Sequence, residues 1–362
     1  MTRFAAAALA LALLLPVAPA QAAERERWDT RVLARVGAPG FPAYVHVHRN
    51  GRVYAGTYTD PRGDTTPSLV REWTGDGTLL RSWTVPGQDL SRDHGVQVAH
   101  QDRRGRLVLL EKSTARVMTL NPRTGRFRTW ATIPDLPACG GGEAPCSPNV
   151  QDEAPIPNYA TWGPRGALFV TDYAQAVIWR IPRRTRQPQP WFTSPRLDGT
   201  DFGTTGIVFR PGRRDLLISQ QSTATDGTAP TNGKLYRLPV RRSGGPGRMR
   251  TLWTSLPSDL PDGFGIGRRT GRIYLANAGP TNQLVVLSPT GEELDRFPDA
   301  PGTGENGSPI PFHTPSNATF LGRRVLVANQ SYAGNRDHHA ILDVYVGERG
   351  RPPHLPRRAY WR

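Results

Sequence analysis

Lysine is almost missing from this chain: of 46 basic residues only Lys112 and Lys234 are lysines. Cysteine occurs twice, and beyond the N-terminal segment no apolar run approaches the ~20 residues that cross a bilayer. Each scarcity excludes something. Two cysteines, Cys139 and Cys146, cannot frame a disulfide-rich scaffold, and no histidine lies near enough in sequence to complete a zinc site with them. The short apolar runs leave the mature chain without a stable transmembrane segment. No stretch after the start keeps a helical period, which argues against a bundle or an alternating α/β fold. Gly-x-Ser-x-Gly is also absent, and with it the nucleophile elbow of a serine hydrolase.

What is present begins with MTRFAAAALALALLLPVAPAQAAERE, where Arg3 precedes an apolar run and Ala20-Gln21-Ala22 offers a cleavage site. Residues 1–22 are expected to be a secretory signal, and 23–362 one domain, secreted or otherwise extracytoplasmic. An oxidising compartment favours a Cys139–Cys146 bond across GGGEAP. The formal net charge of +16 can accompany nucleic-acid binding. For an exported chain an anionic cell-envelope polymer is the expected partner instead, with no nucleic acid.

Short alternating apolar runs punctuated by Gly and Pro indicate strands. One hairpin recurs six times over 41–329, as in FPAYVHVHRNGRVYAGT, PNYATWGPRGALFVTD and PDGFGIGRRTGRIYLAN. Further strand-like runs follow each copy. Four strands per repeat at roughly 50-residue intervals predicts an all-β, six-bladed propeller. RVLARV, 31–36, precedes the first copy and is expected to close the ring as the outer strand of blade six.

Aligning the copies assigns Ala43, His94, Asn158, Thr205, Asp262 and Ser316 to the entrances of the six inner strands. Thr57, Glu111, Asp172, Gln220, Asn277 and Asn329 fall at the ends of the second strands, on the same face. Asn158 and Asp262 offer the hard oxygens that Ca²⁺ accepts. His94 suits an acid, a base or a substrate contact, and Thr205 and Ser316 suit waters or hydrogen bonds to a small-molecule substrate or ligand. Asn and Asp at strand ends also satisfy local turns, which is the competing account of both rings. Long loops before blades three and six, carrying Asp152 and Glu153 or Glu305 and His313, are expected to rim this face. The turns on the opposite face, RNGR, RRGR, PGRR and RRTGR, predict a basic underside.

The ordered hairpins PNYATWGPRGALFVTD and PDGFGIGRRTGRIYLAN, with the six-blade count, resemble the regucalcin, gluconolactonase and luciferin-regenerating-enzyme superfamily across the mature chain. The resemblance implies a divalent cation, commonly Ca²⁺, in the axial pocket and hydrolysis of a lactone or related ester. The usual ligands are a Glu in blade one and Asn, Asn and Asp in blades three to five. By position, Asn158 and Asp262 match, whereas Ala43 stands at the Glu and Thr205 at the second Asn. Lid carboxylates then help to hold the cation, or it is weakly held or absent. Asp262, as ligand or base, and His94 are the residues expected to act on water; Glu111, Asp172, Asn277 and Asn329 are expected to support the substrate.

Overall fold

The computed structural model describes residues 24–140, 144–149, 151–199, 202–223 and 232–360; the expected signal at 1–22 lies outside them. It is an all-β, six-bladed propeller. Each blade is a four-stranded antiparallel sheet, and among the described residues the only helical pieces are three short 3₁₀ turns. The inner strands are Phe41–Val47, Val96–Gln101, Pro157–Trp162, Thr204–Arg210, Pro261–Ile266 and Pro315–Leu321. Each touches the next around the axis, and blade six meets blade one.

Blade six lacks a fourth strand of its own. Thr30–Arg35 supplies it, pairing antiparallel with Ala340–Tyr345, as expected from the unassigned RVLARV segment. Arg25 reinforces the closure through Asp343 at 2.9 Å and Asp29 at 2.8 Å. No helix among the described residues is long and apolar enough to cross a membrane.

The core is divided into six wedges, one between each pair of neighbouring blades. Strand geometry explains this. In Leu107–Glu111, Leu107 and Leu109 face blade one while Val108 and Leu110 face blade three. Successive side chains point to opposite faces, and both faces are covered, so the second strands read as continuous apolar runs instead of alternating ones.

Candidate functional site

Pairing register fixes which residues stand at the axis. Pro157 pairs with Asp172, Pro261 with Asn277, Pro315 with Asn329, Thr204 with Gln220 and Pro42 with Thr57. In each the next residue begins a bulge, which re-aims its side chain. The corresponding partner of Glu111 is Val96, and the irregularity in that blade falls later, between Val98 and His100. The equivalent residue of blade two is therefore Gln97, and the expected placement of His94 at the inner-strand entrance is corrected. The ring is Ala43, Gln97, Asn158, Thr205, Asp262 and Ser316.

His94 sits before its strand as a loop latch. Its backbone exchanges hydrogen bonds with Thr59, and its ring nitrogens face the carbonyls of Arg92 at 3.2 Å and Thr66 at 2.9 Å. Both ring nitrogens are therefore directed at main-chain carbonyls of neighbouring loops.

Thr205 and Ser316 are buried and join blades. Thr205 Oγ1 donates to the carbonyl of Pro261 at 3.1 Å, and Ser316 Oγ to that of Ala43 at 2.6 Å. Three ring members differ. Gln97 Oε1, Asn158 Oδ1 and Asp262 Oδ1 are buried and make no well-formed hydrogen bond, and the Tyr58 hydroxyl is buried beside Gln97. Such acceptors are costly unless something binds them.

Asp262 is the one carboxylate in this ring. Burial pushes its carboxyl up to about 8, although Tyr159 and Gln221 act in the opposite direction. Gln221 donates to Asp262 Oδ2 at 3.3 Å, and Tyr173 holds Gln221 through its hydroxyl at 2.7 Å. Besides burial, the charge of Asp262 raises the hydroxyls of Tyr44, Tyr58 and Tyr159, so side chains from blades one, three and five share this space. Tyr44 and Tyr159 pack together with ring centroids 4.9 Å apart. Glycine makes room for them: a Cβ on Gly263 would lie 2.6 Å from the Tyr159 hydroxyl. The aromatic residue after the ring position in blades one and three is thus matched by glycine in blades four and five, Gly206 and Gly263.

Most of the second ring anchors turns. Glu111 accepts from Ser113 and Thr114, and Asp172 from the backbone of Ile156, Ala174 and Gln175 and from the Trp179 indole at 2.9 Å. Burial raises the Asp172 carboxyl, opposed by those donors. Asn329 accepts from the His313 backbone and donates to the carbonyls of Pro311 and His338. Asn277 differs, with both amide atoms buried and unpartnered.

The loop before blade three carries the Cys139–Cys146 disulfide, Cα atoms 5.0 Å apart, and Asp152 is exposed on it. The loop before blade six is packed down by Ile310 and Phe312, each 1% exposed. Among the described residues no group of three His, Cys, Asp or Glu is arranged to hold a metal. Gln97, Asn158 and Asp262 carry oxygens of the kind a hard cation takes, with a single carboxylate among them. Sequence alignment missed Gln97, Tyr58 and Gln221. Counting back from Glu111 along the hairpin would have found the first.

No family model matches the sequence, and no curated protein matches it. Solved structures do. A luciferin-regenerating enzyme is similar with a TM-score of 0.60 at 12% identity, over 90% of this chain and 98% of that one. Regucalcin from Agrobacterium tumefaciens, a calcium-binding protein, gives 0.57 at 14%, over 90% and 99%. An auxiliary nutrient binding protein from Bacteroides thetaiotaomicron gives 0.60 at 9%, over 88% and 76%. At these identities the shared property is the fold.

Proposed function

We propose that this protein is an extracytoplasmic propeller whose axial site takes a divalent cation, Ca²⁺ by preference, and hydrolyses a lactone or related ester. One observation carries it: three buried oxygens, Gln97 Oε1, Asn158 Oδ1 and Asp262 Oδ1, come from equivalent strand positions and make no well-formed hydrogen bond. These residues would hold the cation, which when bound would polarise a substrate carbonyl. Asp262 would accept a proton from water, Gln221 would orient its carboxylate, and Tyr44 with Tyr159 would floor the site. The leader at 1–22, the disulfide and the arginine-rich turns motivate secretion and contact with an anionic envelope polymer.

A second reading is a non-catalytic binder of a small ligand at the same site. The placement of His94 outside the ring favours it, because the ring then holds no candidate base besides Asp262. Calorimetric titration of metal-stripped protein with Ca²⁺, beside an Asn158→Ala, Asp262→Ala double variant, tests the site. Binding that disappears in the variant, together with turnover in a lactone screen, is expected for the hydrolase. Binding without turnover favours the second reading, and no Ca²⁺ binding by folded protein rejects the cation site.

A further inference from the structure

The inner strands continue past the tyrosines to the opposite face, where they surround a cavity of about 820 Å³. All six blades contribute to its walls, and its apolar lining includes Tyr44, Phe209, Phe264 and Phe320. Strand periodicity adds polar groups at one side. Tyr44, His46 and His48 alternate down one face of the blade-one strand, and His46 meets His100 of blade two with ring centroids 6.0 Å apart.

These imidazoles are buried and neutral at physiological pH. Burial lowers His46, with help from His100 and His48, and pushes His100 down to about 4. His46, His48 and Gln101 are only 3%, 5% and 4% exposed, and their Nε2 atoms make no well-formed hydrogen bond, although His46 lies beside the Gln101 side chain and His48 beside the Gly105 backbone. The cavity thus carries buried polar atoms with hydrogen-bonding capacity to spare.

The C-terminal segment straps the mouth. Arg268 donates its backbone N–H to Arg349 at 2.8 Å, and Arg351 to Ile266 at 2.7 Å. The chain then crosses by Pro352 and Pro353, puts His354 5.0 Å from Phe209, and is fixed on the far side where Arg103 donates to the Ala359 carbonyl. Arg104 and Arg183 stack on Tyr360 there. Arg49, Arg268, Arg349 and Arg351 line the cavity, are exposed, and form no ion pair with a described carboxylate.

We infer that this strapped cavity is a second ligand site, distinct from the ring around Asp262, for a small organic anion with an apolar, ring-containing body. The aromatic and aliphatic walls take the body. Gln101 and the imidazoles supply hydrogen bonds within, and the arginines at the mouth take the carboxylate, sulfonate or phosphate. The size suits a ligand of ordinary small-molecule dimensions, for which binding pockets run to about 300–1,000 Å³.

The probe is 8-anilinonaphthalene-1-sulfonate, followed by fluorescence and calorimetry on the mature protein at a temperature where it is shown to be folded. One saturable site is expected. Arg268→Ser, Arg349→Ser, which changes exposed side chains, should weaken it about tenfold or more. Val208→Trp, which fills the cavity, should abolish it in protein that still melts cooperatively. The neutral N-phenyl-1-naphthylamine should bind at least tenfold more weakly than the sulfonate. Asn158→Ala, Asp262→Ala should leave sulfonate binding unchanged, so this site and the axial cation site can fail separately. Absence of saturable binding overturns the inference. So does binding that is indifferent to the arginine pair, or equal affinity for the neutral probe.

Discussion

The two ends of the propeller axis are built from the same six strands and have opposite chemistry. At the entrance, Gln97, Asn158 and Asp262 present oxygens, and two loop arginines on that face share an acid: Asp60 binds Arg62 at 2.8 Å and Arg336 at 2.7 Å, the latter across the seam between blades one and six. At the exit, imidazoles line the cavity and arginines stand at its mouth without acids. The difference shows how a repeat fold separates functions. A strand in each blade carries one residue to each end, so the ends vary independently while the wedges between blades hold the frame.

The largest expected effect breaks the comparison at its acidic end. The Asp262 carboxyl is protonated in both folded and unfolded chains below about pH 4. Between there and about 8, its raised folded value, the unfolded chain alone loses the proton, so its contribution to stability is lost as the pH rises. Asp262→Asn removes that dependence. In EDTA, the variant should gain on the native protein from pH 4 to pH 8, on the order of 1.4 kcal/mol for each unit separating the two values, and then level off. Urea denaturation across pH measures this. A constant difference would place Asp262 in water.

A smaller loss is expected at the tyrosines between the two ends. Gly263→Ala brings a Cβ within 2.6 Å of the Tyr159 hydroxyl and 2.7 Å of Asn317 Cβ. Overpacking of this kind costs about 1–3 kcal/mol, measurable by denaturant, and displaced Tyr159 should perturb Ca²⁺ and sulfonate binding together. If both titrations stay unchanged, the tyrosines do not divide the axis as described.

Smallest is the seam. The Arg62 guanidinium chiefly, with Arg336, holds the Asp60 carboxyl well below the usual range. Its stabilising contribution is present above the ordinary Asp value of about 4 and is lost as the pH falls toward the folded one. Because both arginines are largely exposed, Asp60→Asn should lower Tm by only about 2 °C at pH 7, converging with the native protein in strong acid. Differential scanning calorimetry at the two pH values would reveal the convergence, and a Tm deficit that persists in acid would assign the effect to packing.

Much of the fold is legible in the residues. Repeated hairpins give six blades, and RVLARV closes the last because an unpaired strand edge is otherwise left open. The candidate site was legible in part. Asn158 and Asp262 fall at their expected ring positions, since their blades begin with the same Pro-x pattern and the same bulge. Blade two begins without the Pro-x start, so its ring position falls on Gln97 and not on the more conspicuous His94. Glu111, Asp172 and Asn329 look like site residues in sequence because a turn anchor and a ligand use the same oxygen chemistry; only their backbone partners distinguish them.

By itself the sequence determined the strand period, the blade count, the closing segment and the supply of arginine, all of which depend on neighbours in the chain. Tertiary structure alone decided which polar atoms have partners, how Tyr44 and Tyr159 meet across the axis, and where the C-terminal strap lies. Those depend on residues far apart in sequence, brought together when the ring closes and water is excluded from its centre.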